Sequence, residues 1–370
     1  MQGVPRKAVY RFKISTAPAR AGLSMIILMN HSALAGTAGP TPPRADESLH
    51  SALAGTAGPT PQTPCIESFG RHHVGVEING TQIDDTFAEA FRMRYVRLIV
   101  TAHDEHWLDA ALREFCGYSS SIISCDSEIG PAERLAAEAT PDGRSGVAVM
   151  VFGFSAERLA EVVPNRAGQC LMTCPTTAVY DGLDGGEEKI PLGKHIRFFG
   201  DGFQKSKQVG GRRFWRIPVM DGEFLIADTL FVEKGVGGGN MILQAVDQQS
   251  ALDAVRRATD AVRQVPGVIV PFPGGCARSG SKVGSIYKTL KASTSDAYCP
   301  TLRGRTQTKL VEGANIAYEI VIDGASEDRV GEAMAAGLRA AAGNGILAIT
   351  AGNYGGKLGK FHFHLRKLLE

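Results

Sequence analysis

Strand-like and helix-like hydrophobic patterns alternate along most of this 370-residue chain, and the alternation restricts the fold to the mixed α and β classes. In the first part of the pattern, the predicted helices are residues 85–92 and 105–115, and the predicted strands are residues 95–102 and 147–152. In the second part, the predicted helices are residues 251–264 and 327–342, the latter opened by Ser326, and the predicted strands lie around Val268 and at residues 315–324, 346–350 and 361–365. We therefore predict two α+β lobes, residues 75–220 and 221–370, with a boundary near residues 218–222.

A carboxylate lies inside the predicted strand 315–324, which is otherwise apolar. The residues of one strand face are Ile316, Tyr318, Ile320 and Ile322. Glu319 therefore lies on the other face, between Ala317 and Val321. Burial there disfavours the charged form and favours a protonated acid that can donate a proton. The alternative is a glutamate on a solvated strand face, which antiparallel sheets commonly have.

The first 74 residues differ in composition from the rest of the chain. They contain a perfect twelve-residue repeat, at residues 31–42 and 50–61, made mainly of Ala, Gly, Pro and Thr. Such a composition provides little apolar surface to bury, so we predict a disordered extension at residues 1–74. A basic start and an apolar stretch at residues 21–29 imitate a secretory signal peptide. An upstream extension or a misassigned start codon is the interpretation we favour.

Composition excludes several classes of protein. The 44% hydrophobic and 21% charged residues are typical of a globular enzyme, and no run of about 18 apolar residues predicts a membrane span. The net charge of +2, without a clustered basic stripe, argues against a nucleic-acid partner. Seven cysteines without a regular framework indicate a reducing, cytoplasmic location.

Glycine-rich segments at residues 235–240, 271–275, 279–285 and 352–359 lie in the second predicted lobe. Glycine lets a loop adopt positive φ angles and lets backbone N–H groups approach a ligand. None of the segments matches a Rossmann or Walker motif, so nucleotide binding is not indicated. Each segment is by itself either a turn or part of a binding site.

Histidine and cysteine patterns give weaker candidates. His103 with His106, and His362 with His364, have spacings that metal sites use, but neither pair has an obvious third ligand. We therefore predict no metal site. The cysteines considered for a catalytic thiol or a redox motif are Cys170, Cys174 and Cys299. A buried structural cysteine is the commoner role.

Several sequence blocks together resemble one enzyme family. The blocks are Val76-Glu-Ile-Asn-Gly80, Asp85-Thr-Phe-Ala-Glu-Ala-Phe91, Thr140-Pro-Asp-Gly-Arg144, Gly168-Gln-Cys170, Phe198-Phe-Gly-Asp-Gly202, Pro271-Phe-Pro-Gly-Gly275, Ser281-Lys-Val-Gly-Ser285, residues 292–301, Asn315 to Gly324 and residues 351–359. In order and spacing they resemble formylmethanofuran:tetrahydromethanopterin formyltransferase. The resemblance runs from about Gly75 to the C-terminus.

The resemblance implies a fold and an activity. The family's fold is two tightly packed, ferredoxin-like α/β sandwich lobes, and its usual oligomer is a homotetramer. The implied reaction is reversible transfer of a formyl group between the amine of methanofuran and N5 of tetrahydromethanopterin, in methanogenesis or formaldehyde oxidation. These coenzymes are substrates, and no tightly bound cofactor or metal is implied. In the matching Tyr-Glu-Ile-Val motif, Glu319 is the residue with the catalytic acid role.

The motif blocks and the glycine-rich segments, taken with the resemblance, give a set of candidate residues for coenzyme binding. They are Gly238, Asn240, Gly274, Gly275, Ser281, Lys282, Ser293, Asp296, Asn353 and Lys357. Each is alternatively a structural turn residue. Two other functions are alternatives for the whole chain: a catalytically silent subunit of a formyltransferase/hydrolase complex, and a ferredoxin-like regulatory domain pair, which leaves the long motif blocks unexplained.

Overall fold

The computed structural model of the chain describes residues 76–370. The predictions of a disordered segment and a signal-like stretch therefore lie outside the described residues. The strands are β1 Val76–Ile78, β2 Thr81–Ile83, β3 Phe87–Thr101, β4 Glu128–Leu135, β5 Gly146–Gly153, β6 Ala178–Asp181, β7 Glu188–Pro191, β8 Lys205–Val209, β9 Arg212–Val219, β10 Gly222–Ala227, β11 Thr229–Ala245, β12 Val268–Ile269, β13 Lys282–Val283, β14 Ala292–Ser293, β15 Ile316–Gly324, β16 Ile346–Thr350 and β17 Phe361–His364. The α-helices are α1 Glu105–Phe115, α2 Ala156–Arg166, α3 Gly193–Ile196, α4 Gln248–Arg263 and α5 Glu327–Ala341.

The first lobe is a βαββαβ unit formed by β3, α1, β4, β5, α2 and β6. Its antiparallel strands are ordered β6-β3-β5-β4, which is the ferredoxin-like arrangement. The valines at positions 147, 149 and 151 of β5 point toward α1 and α2 and join their apolar side chains in one core. Because side chains alternate between the two faces of a strand, these valines all lie on one face of the sheet, and α1 and α2 cover that face.

The second lobe repeats the unit with β11, α4, β12, β15, α5 and β16. Its strand order is β16-β11-β15-β12, again antiparallel throughout. Helix α5 begins after the predicted N-cap Ser326, whose hydroxyl accepts the N–H of Arg329. Ile320 and Ile322 of β15 pack in the core beneath α4 and α5. Glu319 and Val321 face the opposite side and line a cavity.

The long strands β3 and β11 join the two lobes into one continuous sheet. They pair with each other where Glu233 to Gly237 run antiparallel to Tyr95 to Phe91. Each strand also serves both cores, because Ala88 and Ala90 of β3 pack in the second core and Leu230 of β11 packs in the first. The predicted boundary at residue 220 stays a prediction.

Two predicted elements differ in the structure. Residues 85–92 were a predicted helix, but β3 begins at Phe87. Its pairing with β17 and β11 on the sheet outweighs the helix propensity of its alanines. Residues 235–240 were a predicted loop, but they lie within β11. A Cβ at Gly237 would lie 2.1 Å from Met93 Sδ, and one at Gly239 2.5 Å from Val330 Cγ1, so close packing requires these glycines.

Most of the other predicted elements are confirmed, with ends that differ by at most three residues. The predicted helices 105–115 and 327–342 correspond to α1 and α5. The predicted strand 95–102 forms only part of the longer β3. The predicted strand at residues 346–350 is β16, with the same bounds. Every helix among residues 76–370 is too short or too polar to cross a lipid bilayer.

Candidate active site

A cavity of about 770 Å³ lies between the two lobes of the described chain. Residues from β3, the loop before β4, β11, β15 and the loops after β12 and β16 line it. The predicted site residues in its wall are Gly238, Asn240, Ser281, Lys282, Asp296, Glu319 and Asn353. The structure therefore brings together seven residues that are spread over more than a hundred positions of sequence.

Glu319 is buried in this wall, with 4% of its surface exposed. Ser281 donates its hydroxyl to Glu319 Oε1 at 2.7 Å, whereas Oε2 has no hydrogen-bond partner among the described residues. Burial raises the pKa of Glu319, and the bonds from the Ser281 hydroxyl and backbone offset only part of the effect. A buried carboxyl oxygen without a donor is costly when charged, which shifts the equilibrium toward the protonated acid.

Ser281 reaches Glu319 because the segment before it pairs with β15. The N–H of Ala277 donates to the Glu319 carbonyl at 2.7 Å, and the two residues form an antiparallel bridge. Gly280 then turns the chain with φ of +71°, and a Cβ there would lie 2.0 Å from Ser295 Oγ. Glycine is therefore needed for the turn that presents Ser281.

Lys282 and Asp296 form an ion pair in the same wall, with Nζ and Oδ1 2.5 Å apart. The hydrogen bond from Lys282 lowers the pKa of Asp296, so this carboxylate is charged. Both side chains are partly exposed, and such pairs contribute little to stability. The pair supplies a positive and a negative group to the cavity surface.

Asn240 and Asn353 hold the backbone of the wall. Asn240 accepts the N–H of Gly352 at 2.6 Å and donates to the Gly352 and Gly238 carbonyls. Asn353 donates to Thr86 Oγ1 and to the Phe87 carbonyl, both at 3.1 Å. These amides fasten the loop after β16 to β11 and β3.

Glu89, which sequence reasoning missed, organises the glycine-rich loop at residues 352–359. Its buried carboxylate accepts backbone N–H groups from Tyr354 at 2.7 Å, Gly356 at 3.0 Å, and Leu358 and Gly359 at 2.5 Å each. Burial raises the pKa of Glu89, but these donors together outweigh it and lower the pKa below the ordinary value. The loop N–H groups are therefore already occupied by a protein anion.

Four predicted residues lie outside the cavity wall. Gly274 and Gly275 belong to a 3₁₀ turn, where a Cβ at Gly275 would lie 2.5 Å from Thr259 Cγ2 of α4. Ser293 donates to the Gly284 carbonyl at 2.7 Å within the β13–β14 hairpin. Lys357 is exposed to solvent. The contacts of the first three are those of structural turn residues.

The wall contains further groups that the motifs did not single out. They are Tyr298, Gln307, Lys309, Tyr354 and Glu128. Tyr354 accepts the N–H of Val283 at 3.0 Å and donates to the Ser281 carbonyl at 3.3 Å. Burial raises the pKa of Tyr298 and Tyr354, so both phenols are neutral hydrogen-bonding groups. None of these five residues interrupts an apolar pattern in the sequence, which was the signal that identified Glu319.

The weaker candidates have ordinary surroundings. His362 and His364 both pack against the ring of Phe87. Among residues 76–370, His, Cys, Asp and Glu form no group of three or more that is suited to a metal ion. Burial raises the pKa of Cys170 and of Cys174, which disfavours their thiolates.

The geometry fits an acyl transfer that needs a neutral acid. Glu319, whose pKa is raised by burial, lies in the wall of the cavity, and Ser281 fixes the orientation of its carboxyl. A neutral acid next to a carbonyl stabilises a developing oxyanion and protonates a leaving nitrogen.

Comparison with known proteins identifies the family of the chain. The family model described as formylmethanofuran-tetrahydromethanopterin formyltransferase matches residues 76–219, and the model of its proximal lobe matches residues 222–368. The chain is 53% identical over 296 residues to the formylmethanofuran–tetrahydromethanopterin formyltransferase of Methylococcus capsulatus, covering 79% of this chain and 99% of that protein. It is 46% identical to one subunit of the formyltransferase/hydrolase complex of Methylorubrum extorquens, covering 79% of this chain and 97% of that subunit.

Solved structures agree in fold. The crystal structure of the formyltransferase/hydrolase complex from Methylorubrum extorquens with methylofuran contains a chain that superposes with a TM-score of 0.77 at 44% identity, covering 80% of this chain and 99% of that one. The formyltransferase from Methanosarcina barkeri gives a TM-score of 0.76 at 40% identity, with coverage of 80% and 100%. This chain belongs to the formylmethanofuran–tetrahydromethanopterin formyltransferase family.

Proposed function

We propose that this chain transfers a formyl group between the amine nitrogen of methanofuran and N5 of tetrahydromethanopterin, with Glu319 as the catalytic acid. The observation that carries the proposal is the buried carboxyl of Glu319, whose Oε2 has no partner among the described residues, in the wall of the cavity. Of the relatives named above, one is named a formyltransferase and the other a subunit of a formyltransferase/hydrolase complex.

The reaction forms one carbon–nitrogen bond, to N5, and breaks another, to the methanofuran nitrogen. N5 attacks the formyl carbon, and the carbonyl oxygen gains negative charge in the tetrahedral intermediate. The Glu319 carboxyl donates its proton to the methanofuran nitrogen as that bond breaks. The resulting carboxylate accepts the proton that N5 loses, so the acid is restored at the end of each turnover. The raised pKa of Glu319 favours the protonated form that the first step needs.

Exclusion of water is the second requirement, because hydrolysis of the formyl group would yield formate. The two lobes and the loop fastened by Glu89 enclose the inner part of the cavity. We propose Lys282 and Lys309, both in the wall, as the cations that meet acidic groups of the coenzymes.

A second candidate function is that of a silent structural subunit. It is favoured by the likeness to a subunit of the Methylorubrum extorquens formyltransferase/hydrolase complex and to the solved structure of that complex. Turnover by the purified chain alone separates the two functions. An active chain that assembles with partner subunits is compatible with the main proposal.

The test compares the wild-type chain with Glu319→Gln, whose amide has the same shape but no acidic proton. Formyl transfer is measured by the change in absorbance. We expect robust transfer by the wild type and a loss of about a hundredfold or more in kcat for the variant. Glu327→Gln, at an exposed position of α5, is the matched control and keeps wild-type turnover. A silent wild type would favour the structural-subunit function, and an active Glu319→Gln variant would remove Glu319 from the mechanism.

A further inference from the structure

Two carboxyl groups from different lobes meet beside the cavity. Glu128 of β4 lines the cavity and has 6% of its surface exposed, and Asp323 of β15 is fully buried at 0%. The two carboxyl groups lie close enough to each other for a side-chain hydrogen bond when one of them is protonated. The mechanism proposed above uses neither of them.

Backbone N–H groups supply the other contacts of this carboxyl pair. Ile122 N donates to Glu128 Oε1 at 2.8 Å, and Gly238 N donates to Asp323 Oδ1 at 2.9 Å. Asp323 Oδ2 has no N–H or hydroxyl partner in the described part of the chain. In that part, no Lys, Arg or His is among the groups that act on either carboxyl.

A hydrogen bond between two carboxyl groups requires a proton on one of them. Two buried negative charges without a cation would repel each other at short range and lose their hydration. Burial raises the pKa of both groups, and the charge of Glu128 raises that of Asp323 further. The pair therefore retains a proton above the pH at which an ordinary carboxyl group loses it.

The backbone groups that the pair holds belong to different lobes, and both groups line the cavity. Ile122 lies in the loop of the first lobe that contributes Ser121 and Ile123 to the lining. Gly238 lies at the irregularity in β11 between Val236 and Gly239, in the second lobe. A displacement of either wall would change the width of the cavity next to Glu319.

We propose that Glu128 and Asp323 form a singly protonated positioning pair that fixes the Ile122 wall against the Gly238 wall and so sets coenzyme affinity. The proposal deepens the proposed function and rests on it for the identity of the coenzymes. The pair touches neither of the reacting nitrogens in this scheme, so its loss alters KM more than kcat.

The first test measures stability and needs no turnover. Asp323→Asn keeps an acceptor for Gly238 N–H and a donor to Glu128, but it carries no proton that can be lost. The wild-type folded state retains a proton that the unfolded chain releases above a pKa of about 3.9. The wild-type folding constant therefore falls with rising pH relative to the variant, by up to about tenfold per pH unit. We expect the variant's Tm advantage to be absent near pH 4 and to grow toward pH 8.

The second test measures coenzyme binding and kinetics. Asp323→Ala removes both the acceptor for Gly238 and the donor to Glu128, and we expect KM to rise about tenfold or more with a smaller change in kcat. Asp323→Asn should restore KM to within about threefold of the wild type. Glu133→Gln, at a mostly solvated position of the same strand, is the control and leaves Tm and KM unchanged.

Three results would overturn the proposal. They are a Tm difference between wild type and Asp323→Asn that is the same at every pH, a KM for Asp323→Asn as high as that for Asp323→Ala, and a larger effect on kcat than on KM. An inactive wild type would refute the proposed function instead, while the pH dependence of Tm would still judge the shared proton. Should Asp323→Ala not fold, titration of Asp323→Asn with formylmethanofuran, by calorimetry, decides the affinity arm: weakened binding contradicts the proposal, and unchanged binding supports it.

Discussion

Replacing Glu89 by glutamine tests whether one buried carboxylate organises the loop at residues 352–359. The carboxylate oxygens each accept two backbone N–H groups, Oε1 from Leu358 and Gly359 and Oε2 from Tyr354 and Gly356. Glutamine has one acceptor oxygen, so either orientation of its amide loses two of the four bonds and points an NH₂ group at two donors.

The magnitude follows from the bonds lost. Hydrogen bonds to a charged group contribute about 1.5–3 kcal/mol each, so the loss of two destabilises the closed loop by about 3–6 kcal/mol. Because the loop can open without unfolding the sheet, the shift in Tm is smaller than this figure implies. We therefore expect amide hydrogens of the loop to exchange on the order of a hundredfold faster or more, while those of β15 and α5 keep wild-type rates.

Hydrogen–deuterium exchange read by mass spectrometry on a peptide covering residues 352–360 is the assay. The pKa of Glu89 lies below its ordinary value, so its contribution is present above about pH 4.3 and is lost as pH falls through the folded-state pKa. Wild-type protection factors should thus be constant from pH 6 to 8, and those of Glu89→Gln should be lower throughout that range. Glu77→Gln, exposed on β1, is the control. Wild-type exchange in the Glu89→Gln loop would refute the reasoning.

Two further substitutions address the approach to Glu319. Ser281→Ala removes the hydroxyl that donates at 2.7 Å to Glu319 Oε1. Since that bond favours the charged form, we expect the pKa of Glu319 to rise further and the alkaline limb of the pH–rate profile to move to higher pH. We also expect kcat to fall up to about tenfold. An unmoved alkaline limb would contradict this account. Gly280→Ala places a Cβ 2.0 Å from Ser295 Oγ, and we expect a loss of about 1–3 kcal/mol in the free energy of unfolding, measured in urea, with reduced turnover. Gly304→Ala has a positive φ but no atom within 4 Å of the added Cβ, so an equal loss there would attribute the effect to backbone strain alone.

Sequence patterns predicted much of this fold because most core elements are locally consistent. The helices at α1, α4 and α5 carry a regular apolar stripe and an N-cap side chain at Asp104, Asp247 or Ser326. The alternation around Glu319 also placed that residue on the face opposite Ile320. In such segments the local preference and the tertiary environment coincide.

The failures occur where distant contacts decide the conformation. The alanines of β3 favour a helix by themselves, and only pairing with β11 and β17 makes the segment a strand. In the sequence, the glycines at positions 237 and 239 are typical of a flexible loop. In the fold, Met93 and Val330 pack against them so closely that a Cβ has no room. Glu89 and Asp323 gave no local signal, because their partners lie more than eighty residues away.

Carboxyl groups around the cavity differ in pKa because their partners differ, and this difference supports Glu319 as the proposed acid. Glu89 is ionised by four backbone N–H groups, and Asp296 by Lys282. The pKa of Asp323 is raised by burial, but its carboxyl group interacts with that of Glu128. Glu319 combines a raised pKa with an oxygen that no other described residue engages. Among these five carboxyls, Glu319 is therefore the one we propose as the proton donor to a substrate, and a cation introduced beside it should lower its pKa and reduce formyl transfer.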